Sequence, residues 1–182
     1  VPALGKIKHV IWHCSATPNG QPFTAADIHR WHKQRGWKGI GYHFVIGVRG
    51  ELWSGRAIRY NEFESGAHTS GKNAESLGVC VIGGVDSNGD ATYSPTGEWL
   101  SDEQIATIQA VHRFLSRLAP QAKHSGHRKW AAKECPCFDI DLIVNGSLSV
   151  EPAEPLYSAR PAPKATESKY EADAPNFDDD GR

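Results

Sequence analysis

Apolar residues along the first 146 positions switch between a strand-like and a helix-like period. His9–Cys14 reads HVIWHC, a short apolar run that ends in Ser-Ala-Thr-Pro-Asn-Gly, and it predicts a buried strand closed by a loop. Thr24, followed three positions later by Asp27, is a shortened capping box. Phe23 and Ile28 sit where a hydrophobic staple would place them, so a helix is expected to open at Thr24. Ile28 and Trp31 share its inner face, and Gly36 stops it. Tyr42, Phe44, Ile46 and Val48 fall on alternate positions and predict a strand that turns all four to one face. Arg49–Gly50 makes a turn, and Glu51–Ser54 returns as the second strand of a hairpin. Leu77–Ile82 (LGVCVI) is continuously apolar, as a central strand buried on both faces would be.

A second helix is predicted from Ser101, with Gln104 completing a capping box and Leu100 and Ile105 as its staple. Ile105, Ile108, Val111, Leu115 and Leu118 line one face of it, and Pro120 ends it. Lys123–Arg128 can supply a last short strand. Strands interleaved with helices predict the α/β class: a single domain with a mixed central β-sheet flanked by helices. No internal repeat is present.

Composition changes this picture at one end only. Residues 147–182 carry five of the 11 prolines and 8 acids against 4 bases, and they end in Asp178, Asp179 and Asp180. Without apolar periodicity, such a segment buries too little surface to offset its ordering entropy. The expected organisation is therefore a globular domain over 1–146 and an acidic, proline-rich, disordered tail over 147–182.

A net charge of -1 with scattered Lys and Arg argues against a nucleic-acid partner. The apolar runs are too short to span a bilayer, and VPALGKIKHVIW lacks the apolar core and cleavage site of a signal peptide. The four cysteines, at 14, 80, 135 and 137, form no repeated framework. A domain of this size needs no disulfides, so reduced thiols are expected, with one or two available to a metal.

Three segments carry candidate chemistry, each at the end of a strand, where ligands of α/β sheets tend to collect. His13 closes the first strand; alone, such a histidine is more often a hydrogen-bonded structural residue. GHRKWAAKECPCFD (126–139) places seven residues between His127 and Cys135, with Lys133 two before the cysteine. His13, His127 and Cys135 would make a His₂Cys set with an open fourth position, as catalytic zinc requires. A competing set, His124, His127, Cys135 and Cys137, would close a structural zinc site instead. The third segment joins Tyr42 in GYHF to His68 and Asn73 in GAHTSGKN. Tyr42 can donate a hydrogen bond, and His68 and Asn73 can hold a polar substrate; the plainer reading is a strand aromatic and a polar loop.

Taken in order, WHCSAT, GWKGIGYHF, GAHTSGKN, GVCVIGG and then His127 with KECPCFD resemble the zinc-dependent N-acetylmuramoyl-L-alanine amidases, a family that includes amidase-type phage lysozymes and animal peptidoglycan recognition proteins. The resemblance covers roughly residues 7–142. It implies one Zn²⁺ per chain at strand ends, held by His13, His127 and Cys135, with Tyr42 and Lys133 assisting catalysis and His68 lining the substrate cleft. The chain departs from the family at Cys137, where a small residue is usual.

The implied reaction is hydrolysis of the amide between N-acetylmuramic acid and L-alanine in peptidoglycan. The expected setting is a monomeric phage endolysin that waits in the host cytoplasm and then acts on the wall, without membrane insertion. A cytoplasmic muropeptide-recycling amidase is the close alternative, and a non-catalytic peptidoglycan-binding module on the same fold is a further one. A cysteine hydrolase built on Cys14 or Cys135 is a weaker rival, because strand alternation turns Cys14 and His13 to opposite faces. Trp12 is expected in the core, and Trp130 is a candidate wall of a glycopeptide groove.

Overall fold

The computed structural model describes residues 2–146; the acidic tail expected over 147–182 lies outside them. Strands β1 (His9–Cys14), β3 (Phe44–Ile46), β4 (Leu52–Ser54), β5 (Ser76–Val81) and β7 (Lys123–Gly126) form one sheet in the order β4-β3-β5-β1-β7. β3, β5, β1 and β7 run parallel, and β4 pairs antiparallel with β3, so the sheet is mixed. A small parallel pair, β2 (Thr17–Pro18) with β6 (Gly84–Val85), continues from the carboxyl ends of β1 and β5.

Helix α1 (Ala25–Gln34) starts at Thr24 with the capping box closed in both directions: the Thr24 side chain accepts from the Asp27 amide, and the Asp27 carboxylate accepts from the Thr24 amide at 2.8 Å. Helix α2 (Asp102–Leu118) is capped the same way by Ser101 and Gln104. A third helix, α3 (Ile140–Asn145), was not legible beforehand; six residues make less than two turns and show no readable period.

Register explains how the sheet divides its two faces. Trp12 pairs with Val79, and Val79 with Phe44, so their side chains share a face. That face packs Val10, Trp12, Leu77, Val79 and Val81 against Ile105, Ile108, Val111 and Leu115 of α2 and Ile140 and Ile143 of α3. Trp12 is fully buried there, as expected. On the opposite face His13, Cys80 and Val45 are in register. α1 covers β3 and β5 on this side, packing Ile28 and Trp31 against Val45, Cys80 and Ile82. Cys80 is thus a core residue. His13 lies on the same face.

The strand expected over Tyr42–Val48 is shorter and does not keep one parity. The chain bends at His43 and turns at Val48–Arg49, leaving Phe44–Ile46 as β3. Phe44 and Ile46 face α2, whereas Tyr42 and Val48 pack with the α1 side. The bend at His43 reverses the alternation, and it puts Tyr42 on the face that carries His13. The hairpin turn is as read, with Gly50 at φ 74°, a left-handed conformation that suits glycine.

Candidate active site

His13 is the fifth residue of the six-residue β1, and His127 follows directly after β7. Because β1 and β7 are parallel neighbours, both histidines arrive at carboxyl ends on the same side of the molecule. Their ring centroids are 4.5 Å apart. Cys135 comes from the loop after the short turn His127–Lys129. The Arg128 amide donates to the Cys135 carbonyl at 2.7 Å, and this bond folds the loop back onto β7. The Cys135 Sγ then lies 3.8 Å from His13 Nδ1 and accepts from the Cys14 amide at 3.3 Å.

One ligand atom from each of His13, His127 and Cys135 lies within 4.8 Å of the other two, and all three residues are buried. Zinc bonds of about 2.0–2.3 Å in a tetrahedron put ligand atoms roughly 3.3–3.8 Å apart, so this set fits a metal with little movement. Burial, then the neighbouring His127, keeps His13 well below the ordinary imidazole range. The ring is therefore neutral, as a metal ligand must be.

The competing set is not assembled. His124 points to the opposite face, where its Nδ1 accepts from Trp12 Nε1 at 3.2 Å and its ring lies 4.1 Å from that of His112. Cys137 has φ 68°, and its Sγ faces Cys14 Sγ at 3.8 Å instead of the histidines. The hydrogen bond with the Cys135 sulfur, with burial adding to it, holds the Cys14 thiol well above its ordinary value, which removes the thiolate a cysteine hydrolase needs.

Tyr42 comes close to the cluster, with its ring 5.1 Å from that of His13. A second ring beside it, His32, carries no motif that marks it in the sequence. The Gly41 amide donates to His32 Nδ1 at 3.0 Å, and the His32 ring lies 5.6 Å from Tyr42. Burial first, and Arg35 next, lower His32 to about 4. Lys133 has a buried Nζ and bears electrostatically on His13. It also lines an open cleft of about 530 Å³ with Arg128, Lys129, Glu134 and Asp139. None of the three cluster residues lines that cleft, so it flanks the site.

His68 and Asn73 are placed differently from a cleft wall. His68 is completely buried, with its Nδ1 3.1 Å from His13 Nε2. Asn73 Oδ1 accepts from the His68 and Thr69 amides at 2.8 and 3.0 Å, so it shapes the loop that carries His68. Trp130 is half-buried, its Nε1 donates to Ser125 Oγ at 3.1 Å, and Lys72 Nζ lies 5.0 Å from its ring centre.

Residues 3–138 match the family described as N-acetylmuramoyl-L-alanine amidase. The chain is similar to the endolysin of Escherichia phage T7, 37% identical over 135 residues that cover 70% of this chain and 79% of that protein. It is similar also to the endolysin of Enterobacteria phage K11, 35% identical over 134 residues, 72% of this chain and 82% of that one. Among solved structures, the N-acetylmuramoyl-L-alanine amidase LysC of Clostridium intestinale superposes with a TM-score of 0.61 at 27% identity, covering 79% of this chain and 87% of that chain.

Proposed function

The chain belongs to the N-acetylmuramoyl-L-alanine amidase family, and from that premise we propose that it is a zinc-dependent endolysin that cleaves the amide between the lactyl group of N-acetylmuramic acid and L-alanine. The observation that carries the zinc dependence is the convergence of His13, His127 and Cys135, three buried ligands of mixed nitrogen and sulfur type. A bound zinc ion would supply a water that ionises near neutral pH and would polarise the scissile carbonyl.

The chain's own groups would do the rest. Lys133, whose buried Nζ bears electrostatically on His13, donates to the carbonyl oxygen as negative charge grows on it. In a buried setting that donor is worth more than it would be in water. The Tyr42 phenol, on the ring next to His13, holds a hydrogen bond to the attacking water or to the leaving amine. Asn73 keeps the His68 loop in place under the site. Substrate reaches the site as a peptidoglycan glycopeptide, and the flanking cleft beside Lys133 offers charges of both signs to a stem peptide. The enzyme works as a monomer, made in the host cytoplasm and acting on the wall. No helix among the described residues is long and apolar enough to cross a membrane.

Product chemistry on purified peptidoglycan tests this reading. New alanine amino termini without new reducing sugar ends, lost on chelation and recovered with zinc, are expected. Tight binding without cleavage would replace the reading with a recognition module, and cleavage that ignores the chelator would remove zinc from it.

A further inference from the structure

A histidine ligand has two nitrogens, and the hydrogen bond made by one decides which is left for the metal. For His13 that bond can be traced to its origin. Ser76 Oγ donates its only proton to the Lys72 carbonyl at 2.8 Å. Its lone pairs are then what it offers to His68 Nε2 at 3.4 Å, so Nε2 of His68 carries the proton. His68 Nδ1 is left as an acceptor. It faces His13 Nε2 at 3.1 Å, with the Thr69 hydroxyl 3.1 Å from the first ring and 3.5 Å from the second. His13 Nε2 must therefore be the donor, and its Nδ1 lone pair is the one directed toward Cys135 Sγ at 3.8 Å.

We propose that His68 is a positioning residue: it locks His13 in the Nε2-protonated tautomer and aims His13 Nδ1 at the metal. This rests on the zinc reading above. The space for His68 is built for it. A Cβ on Gly78 would lie 2.6 Å from the His68 ring, and a Cβ on Gly66 would also collide with it. Both positions are glycine, and the Asn73 carbonyl oxygen clamps the amides of 68 and 69. The loop thus brings a fully buried ring against the sheet face to meet His13.

The test compares the zinc affinity of the wild-type protein, His68→Leu and His68→Asn by competition with a chromophoric chelator. The ring nitrogen spectrum of the zinc-loaded wild type is recorded alongside. Leu fills similar volume without an acceptor, whereas the Asn amide places an oxygen near the Nδ1 position. His68→Leu is expected to weaken zinc binding by ~10–100-fold, the usual cost of losing a partner behind a histidine ligand, and His68→Asn to recover most of it. The spectrum is expected to show His13 protonated at Nε2 and metal-bound through Nδ1. A wild type that takes up no zinc would defeat the zinc reading itself. A wild type that binds zinc while His68→Leu binds it equally well, or while both variants are equally weak, would overturn the role of His68. If His68→Leu does not fold, the spectrum decides alone: binding through His13 Nε2 overturns the proposal.

Discussion

His13 and Cys135 are 122 positions apart, yet His13 Nδ1 and Cys135 Sγ lie 3.8 Å from each other. Cys137, two residues further on, turns its sulfur to Cys14 instead. The two thiols of the Cys-Pro-Cys segment therefore have separate jobs. Cys135→Ser is expected to remove zinc from the purified protein and to lower amidase activity by more than ~100-fold, since losing a ligand should exceed the cost of losing its supporting partner. Cys137→Ser should keep both. Metal analysis beside a lysis assay checks the pair, and a zinc-free Cys137→Ser would reverse the assignment.

Lys133 offers a second prediction. If its ammonium meets the carbonyl oxygen only as charge develops there, Lys133→Ala lowers kcat by ~10²–10³ with little change in KM. Zinc content should stay at one per chain, because Lys133 is not among the ligand set. A variant that retains near-full turnover would remove the oxyanion role.

Much of this site was legible in the sequence, and what was not has physical causes. The capping boxes at Thr24 and Ser101 and the run His9–Cys14 are local signals, and each marks an element where it was expected. His13 could be placed on one sheet face with Cys14 on the other by strand parity alone. The choice between Cys135 and Cys137 could not be made from spacing, because it depends on a backbone angle, φ 68° at Cys137. Alternation alone puts Tyr42 on the wrong face, because the bend at His43 interrupts it. The His13–His68 bond joins two strands' worth of chain through a loop. Its only forewarning was the glycines at 66 and 78, whose missing side chains make room for the ring. β2 and β6, of two residues each, carry no period at all.

Asn73 separates a loop-shaping role from direct substrate contact. Its Oδ1 serves two backbone amides, and each such bond is worth about 0.5–1.5 kcal/mol net. Asn73→Ala should lower stability by ~1–3 kcal/mol in urea unfolding, and Asn73→Asp, which keeps the acceptor, should lose much less. A substrate-contact role would instead raise KM in Asn73→Ala and leave the unfolding midpoint where it was.

Acid should loosen the metal-free fold before it titrates the carboxylates. His43 and His32 are both buried, and burial is the largest cause that brings each from 6.5 to about 4. His43 Nδ1 accepts from the Gly78 amide at 3.0 Å, a bond that protonation of that nitrogen would break. The folded state resists a proton that the unfolded chain takes up freely. Their contribution is therefore complete above pH 6.5 and is lost as the pH falls from there toward 4. Within that window each histidine adds a slope of about 1.4 kcal/mol per pH unit. Urea midpoints of chelator-treated protein should fall steadily across it, and His43→Asn, which keeps an acceptor for Gly78, should flatten the slope. A midpoint that holds constant down to pH 5 or so would mean these rings accept protons in the folded state as readily as in water.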